Sequence, residues 1–275
     1  MDLYVDPEVE KRVGALELPF NRYGLDPYGV SRQHLIWFFS PLAAFYRKYF
    51  RVTVHGIENV PDRGRGLVIG NHSGGLPVDA GMILTSLLLD HAPPRLAHGM
   101  VDTFVAAWPV VGQWFSRVGL LTGLPEHAHR LLEDERLVLA FPEGARGTGK
   151  LYRDRYNMVR FGTGFMRLAL QTRSPIIPFA FIGGEEAIPT IYHARLLAKL
   201  TGAPYFPVPL QLIPFPLPVH CEIWYGEPMN FEGSGSESDE VIGEYVEQVK
   251  HQVKDLITRG LAARGGRPTR QEGQP

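Results

Sequence analysis

His72 and Asp79 carry the clearest chemical potential in the chain, in the stretch Asn71-His-Ser-Gly-Gly-Leu-Pro-Val-Asp79 that follows the apolar run Leu67-Val-Ile-Gly70. A neutral imidazole held by a carboxylate is what proton removal from a hydroxyl needs. The acid fixes the tautomer and stabilises the imidazolium as the proton arrives. On one continuous helix the two residues would stand about 10.5 Å apart, from the 1.5 Å rise per residue. Contact therefore requires a non-helical turn at Gly74-Gly75, after which Pro77 suits the first turn of a helix carrying Asp79. The plainer alternative is a structural histidine in a glycine-rich turn.

A second apolar run, Leu137-Val-Leu-Ala-Phe141, also passes into a glycine-rich turn, Pro142-Glu-Gly-Ala-Arg-Gly-Thr-Gly-Lys150. Backbone amides in such a turn can face an anion. From Phe141 to Leu170 the basic residues Arg146, Lys150, Arg153, Arg155, Arg160 and Arg167 outnumber Glu143 and Asp154 by six to two. Arg146 is the best phosphate clamp among them, because a guanidinium can grip two oxygens at once. A solvated basic rim is the alternative. Gly144, Gly149 and Lys150 match the start of a nucleotide-binding P-loop, but Leu151 stands where a hydroxyl would ligate magnesium. No Gly-x-Ser-x-Gly elbow occurs, so a serine nucleophile is disfavoured. His127 and His129, two apart with no cysteine nearby, read as surface residues rather than metal ligands.

The elements that must position these groups alternate in type. Arg51–His55, Leu67–Gly70, Leu137–Phe141, Ile176–Ile182 and His220–Tyr225 read as strands, and Val78–Leu89, Gly162–Thr172 and Tyr192–Leu200 as helices. The alternation predicts an α/β fold: a mixed, largely parallel sheet flanked by helices, with sites beyond the strands' carboxyl ends. An amphipathic helix is expected over Glu237–Leu261, and residues 262–275 read as a disordered tail. Residues 1–30 read as a loosely structured lead-in. The aromatic stretch 33–50, which ends among Arg47, Lys48 and Arg51, reads as a broken interfacial helix, with a buried core helix as the alternative. The division is thus an N-terminal lead-in and apolar helix at 1–50, a main domain at 51–261 and the tail. Leu200–Val219 is uncharged over twenty residues but holds six prolines, so it reads as an extended apolar loop over the sheet or against lipid.

The composition, 44% hydrophobic and 21% charged, excludes disorder and fibrous repeats. Lys plus Arg (28) nearly cancels Asp plus Glu (29), so no global basic field attracts nucleic acid or an anionic membrane. Cys221 is alone, which excludes an intrachain disulfide and a zinc knuckle and points to a reducing compartment. The start, MDLYVDPEVEKR, lacks the basic and apolar regions of a secretory signal, so the N-terminus is expected to be mature as written. The run Leu35–Tyr46 falls short of the ~20 residues a bilayer crossing needs.

Taken in order, Asn71-His72 through Asp79, Phe141-Pro-Glu-Gly-Ala-Arg146, Arg160-Phe-Gly-Thr-Gly164 and Pro175-Ile-Ile-Pro-Phe-Ala-Phe181 resemble the glycerolipid (lysophospholipid) acyltransferase family over roughly residues 50 to 230. The resemblance implies an O-acyltransferase with a catalytic His72 and Asp79. Asn71, Glu143, Gly144 and Arg146 would serve the substrate, and Arg117 and Arg160 would help hold an acceptor phosphate. It implies an acyl-CoA or acyl carrier protein donor, a lysophospholipid acceptor such as lysophosphatidic acid, and no metal or resident cofactor. The place of action is then the cytoplasmic face of a membrane. The chain departs from the family pattern in having six rather than four residues between His72 and Asp79, with Pro77 where the acid would fall. Ala145 and Gly147 replace hydroxyl residues common there. The longer gap is similar to the monoacylglycerol and diacylglycerol acyltransferase-like branch, whose acceptors are neutral. A non-catalytic lipid-binding protein and a lipid hydrolase using His72 to activate water are the readings of other classes.

Overall fold

Residues alternate in direction along the central strands, and helices cover both faces of the sheet they build. The computed structural model describes residues 4–74, 77–102, 111–194, 207–211 and 215–265. The chain begins with α1 (Pro7–Gly14) and α2 (Arg32–Ala44), then β1 (Thr53–His55), β2 (Gly66–Gly70), α3 (Val78–Leu89) and β3 (Ala97–Val101). It continues through α4 (Val111–Arg117), β4 (Leu120–Thr122), α5 (Pro125–Glu133), β5 (Leu137–Ala140), α6 (Ala145–Thr148) and α7 (Gly164–Thr172). It closes with β6 (Ile176–Ile182), α8 (Gly184–Ala187), β7 (Thr190–His193), β8 (Pro207–Pro209), β9 (Glu222–Tyr225) and α9 (Asp239–Ala263).

One seven-stranded sheet runs β1-β9-β6-β2-β5-β3-β4, and β7 pairs with β8 in a separate two-stranded sheet. Strands β2 to β6 are mutually parallel, while β9 lies antiparallel to β6 and β1 parallel to β9. The sheet is therefore mixed and largely parallel. In β2, Val68 points into a core shared with Val9 and Val13 of α1, Phe39 of α2 and Ile83 of α3, joined from β6 by Ile177, Phe179 and Phe181. Its neighbours Leu67 and Ile69 point the other way, against Leu131 of α5, Met166 of α7 and Val249 of α9. Farther along α9, Val253 and Ile257 close over Ala180 and Ile182 of β6. Burial on both faces is why β6 is an unbroken apolar run.

Several sequence readings change. The lead-in contains α1, which the Asp6 side chain caps by accepting from the Glu8 and Val9 amides, and whose Val9 and Val13 are fully buried. Tyr192 and His193, expected to open a helix, lie in strand β7, and 195–200 lie outside the described residues. Strands β3, β4, β7 and β8 and helices α4 and α5 have no counterpart in the sequence reading. In α2, Leu35, Ile36, Phe39 and Ala43 are buried in the same core as the sheet, so much of that apolar surface is consumed by folding. Of the tail, 266–275 lie outside the described residues, as does part of the 200–219 loop. Among the described residues no helix is long and apolar enough to cross a membrane.

Candidate active site

Strands β2, β5 and β6 lie side by side with their carboxyl ends on one edge, and the segments leaving those ends build the site. At the end of β2, the Asn71 side chain donates to the Phe181 carbonyl at 2.9 Å and accepts from the Phe181 amide at 2.8 Å. Both bonds are buried, and they lock the exit of β2 to β6. The chain then turns through Gly74, whose φ of +73° is a left-handed conformation that favours glycine. Gly75 lies outside the described residues.

That turn folds His72 back onto the first turn of α3. His72 Nδ1 lies 2.6 Å from Asp79 Oδ2, with the His72 side chain 15% exposed and that of Asp79 fully buried. Asp79 Oδ2 also accepts from the Ser73 amide at 2.8 Å, and Oδ1 from the Ala80 amide at 2.7 Å. Counting the Ser73 hydroxyl at 3.4 Å, four donors and the N-terminus of α3 face the Asp79 carboxylate. An ionised Asp79 accepts the Nδ1 proton and leaves the lone pair on Nε2, which has no hydrogen-bond partner among the described residues. The imidazole is stacked on Phe141, with ring centroids 3.9 Å apart and planes at 15°. One ring nitrogen is held, the ring plane is set by β5's exit, and the other nitrogen is free to take a proton.

Glu143, at the end of β5, is 2% exposed. Its Oε1 accepts from the His72 amide at 2.9 Å and its Oε2 from the Val159 amide at 2.8 Å. Lys150 Nζ lies 3.3 and 3.4 Å from the two oxygens. Gly147 sits where β5's loop meets His72: a Cβ there would stand 2.7 Å from Glu143 Cβ and 2.9 Å from His72 Cβ, so only glycine permits the approach.

The substrate-binding residues expected from the sequence divide sharply. Asn71 and Glu143 place their polar atoms inside the fold, on Phe181, His72, Val159 and Lys150. Gly144 has open space on its side-chain face. Arg146 on α6 is exposed and makes no hydrogen bond or ion pair among the described residues; it immediately precedes the Gly147 that touches His72. Arg160 is likewise exposed and unpaired among the described residues. Arg117, at the end of α4, reaches the Gly29 carbonyl at 3.3 Å and so belongs to the N-terminal arm's contacts rather than to the His72 loop.

The six-cation cluster also divides. Lys150 is buried, and Arg167 pairs with Asp239 at 2.6 Å, leaving Arg146, Arg153, Arg155 and Arg160 exposed. Sequence reasoning missed Phe141 as the stacking partner and Glu185 as a buried acid. Burial, the largest influence, pushes the Glu185 carboxyl up to about 7, while Lys150 pulls it down and Glu186 raises it. The aromatic residue directly before Pro142 was the available signal for the first; Gly183-Gly184-Glu185-Glu186 gave no sign of a buried acid. Among the described residues no group of three metal-ligating side chains gathers.

The fold of this parallel-centred sheet has a known counterpart. The 1-acyl-sn-glycerophosphate (LPA) acyltransferase PlsC from Thermotoga maritima shares the fold, with a TM-score of 0.53 and 18% identity over 82% of this chain and 81% of that one. The Acyltransferase family profile matches residues 51–182, from β1 through β6 with the loops that form the site. An uncharacterized protein of Mycobacterium tuberculosis is 35% identical over 255 residues, covering 88% of this chain and 71% of that protein. The chicken DGAT1/2-independent enzyme synthesizing storage lipids is 27% identical over 183 residues, 65% of this chain and 52% of its own length. The chain belongs to the acyltransferase family.

Proposed function

We propose that the protein moves a fatty acyl group from a CoA or acyl carrier protein thioester to the hydroxyl of a glycerolipid acceptor, with His72 as general base and Asp79 as its orienting acid. The observation that carries this reading is the 2.6 Å Nδ1–Oδ2 pair, with Nε2 left free at the carboxyl edge of β2. His72 Nε2 takes the acceptor's hydroxyl proton while the oxygen attacks the thioester carbonyl carbon. The tetrahedral intermediate collapses with breakage of the C–S bond, and the imidazolium returns its proton to the departing thiolate. The products are an ester and a free thiol, and the enzyme ends as it began. Asn71 and Glu143 act by positioning the His72 loop, and the step calls for no resident cofactor.

The acceptor is a lysophospholipid such as lysophosphatidic acid, on the strength of Arg146 and Arg160, two exposed guanidiniums without partners among the described residues, in the segments that leave β5. A neutral acceptor is the second reading, favoured by the similarity to an enzyme named for synthesizing storage lipids. Labelled acyl-CoA offered with lysophosphatidic acid, other lysophospholipids, monoacylglycerol, diacylglycerol and a long-chain alcohol separates them. Transfer to the phosphorylated acceptor is expected, with Arg146→Ala raising its KM by about tenfold or more, since hydrogen bonds to charged groups contribute ~1.5–3 kcal/mol. An unchanged KM, or transfer to neutral alcohols alone, moves the protein to the second reading.

The site of action is the cytoplasmic face of a membrane, where both lipid and thioester are at hand. Support comes from Ile191, Tyr192, Leu210, Phe215 and Leu217, large apolar side chains between 40% and 66% exposed on and beside the two-stranded sheet. Tyr49 and Arg51 hydrogen-bond the carbonyls of Pro216 and Pro218, so the basic end of the α2 region borders this apolar surface.

A further inference from the structure

Behind His72 lies a buried ionic cluster that the proton transfer itself does not use. Lys150 Nζ stands 3.3 Å from Glu143 Oε2 and 3.5 Å from Glu185 Oε1, and the three side chains are 4%, 0% and 3% exposed. The cluster joins three segments of the site: the His72 loop through Glu143, the Arg146-bearing turn through Lys150, and the exit of β6 through Glu185. Glu185 Oε1 also accepts from the Tyr156 amide at 3.4 Å, while its Oε2 has no partner among the described residues. Two carboxylates against one ammonium is a costly arrangement. Burying ions is expensive, and a well-packed apolar replacement is often as stable or more so, so such a cluster is weak evidence for stability. Its geometry points to a different role.

Each oxygen of Glu143 accepts one main-chain amide, His72 on Oε1 and Val159 on Oε2. Both oxygens serve as acceptors. A proton on either oxygen would turn an acceptor into a donor facing an N–H group. Burying a carboxylate is costly without a partner, and Lys150 straddles its two oxygens at 3.4 and 3.3 Å.

We propose that Lys150 is a positioning residue for His72: by bridging Glu143 to Glu185 it keeps both Glu143 oxygens as acceptors and so holds the His72 main chain in register with Asp79 and Phe141. Glu185 anchors the far side of the ammonium. Gly184, the residue before it, lies so close to Ser73 that a Cβ there would fall 2.0 Å from the Ser73 hydroxyl, so movement of the anchor reaches the same loop. The proposal rests on the reading of His72 as the base, and its test includes a readout that does not depend on turnover.

The experiment compares wild type with Lys150→Met, Lys150→Arg, Glu143→Gln and the double variant Glu143→Gln/Lys150→Met in the full chain. Proton NMR follows the downfield resonance of the His72 Nδ1 proton, assigned by its loss in Asp79→Asn, and thermal unfolding reports the fold. In folded Lys150→Met the resonance is expected to broaden or vanish. Its kcat should fall about tenfold or more with the acyl-donor KM nearly unchanged, as small misplacements of catalytic groups produce. Lys150→Arg should recover most of both. The double variant should lose no more than the worse single variant, because the lysine acts through Glu143. Should Lys150→Met fail to fold, Lys150→Gln takes its place under the same criteria. An intact resonance with wild-type kcat in the folded variant overturns the proposal, and so do losses that multiply in the double variant. An altered resonance in a protein whose wild type transfers no acyl group would sink the catalytic reading and leave the positioning of His72 standing.

Discussion

Replacing Asp79 with asparagine removes a charge while leaving the volume nearly unchanged, and the site's hydrogen bonds dictate the outcome. Asp79 Oδ2 accepts from His72 Nδ1 at 2.6 Å and from the Ser73 amide at 2.8 Å, and Oδ1 accepts from the Ala80 amide at 2.7 Å. An asparagine must turn its NH2 toward one of these sides. Facing His72, it donates to Nδ1, drives the ring proton to Nε2 and abolishes the lone pair that would take the acceptor's proton, while also opposing the Ser73 amide that shares that oxygen. Facing Ala80, it opposes an amide N–H and leaves that buried group unpaired. The first orientation costs turnover, by analogy with the wrong-tautomer effect in catalytic triads, about 10³- to 10⁴-fold in kcat. That corresponds to roughly 4 to 5.5 kcal/mol of transition-state stabilisation. The second costs stability, on the order of 1–3 kcal/mol for the unpaired group. Transfer of labelled acyl groups at saturating acceptor, with denaturant unfolding alongside, measures both. An Asp79→Asn protein that is folded and turns over within about threefold of wild type, well inside the tautomer effect, would refute the argument that the carboxylate sets the imidazole's tautomer.

Two further outcomes are expected. The Glu185 carboxyl is raised by burial from an ordinary value of 4.5 to about 7, so its contribution to stability is full below its unfolded value and lost as pH rises through about 7. The stability of wild type relative to Glu185→Gln should therefore fall between about pH 5 and about pH 8 in urea titrations, and a constant difference would contradict the shift. On the apolar surface, Ile191→Asn combined with Leu210→Ser should weaken flotation with anionic vesicles while transfer to a monodisperse short-chain acceptor is retained. Unchanged flotation would remove that surface from the membrane reading.

The parts of the fold legible in the sequence are those in which packing imposes a simple pattern. Ile176–Ile182 is buried on both faces of the sheet and reads as a continuous apolar run, and α9 reads as amphipathic because one of its sides lies on β6 and α7. Strand β3, Ala97-His-Gly-Met-Val101, has neither β-branched density nor alternation; its place is fixed by pairing with β4 and β5. Helix α1 is short and charged, and it forms where the Asp6 cap and burial of two valines hold it. Tyr192 and His193 precede a helix-like apolar spacing, but pairing with β8 draws them into a strand.

The site divides in the same way. A glycine-rich turn between His72 and Asp79 raises the pairing from local sequence, since the contact spans only seven residues. The double bond from Asn71 to Phe181 spans 110 residues, and no local pattern announces it. Lys150 reads as one more cation in a basic stretch, and Glu143 as a group for substrate. Their burial comes from the meeting of β5's loop with the ends of β2 and β6, which only the assembled sheet determines.

The direct test of acyl transfer by His72 is single-turnover and steady-state transfer from labelled acyl-CoA to lysophosphatidic acid, with His72→Ala run beside wild type at matched folded concentration. A loss of about 10²- to 10⁴-fold in kcat, with unfolding unchanged, is the result expected for removal of a general base. A folded His72→Ala protein that forms ester at close to the wild-type rate would contradict it.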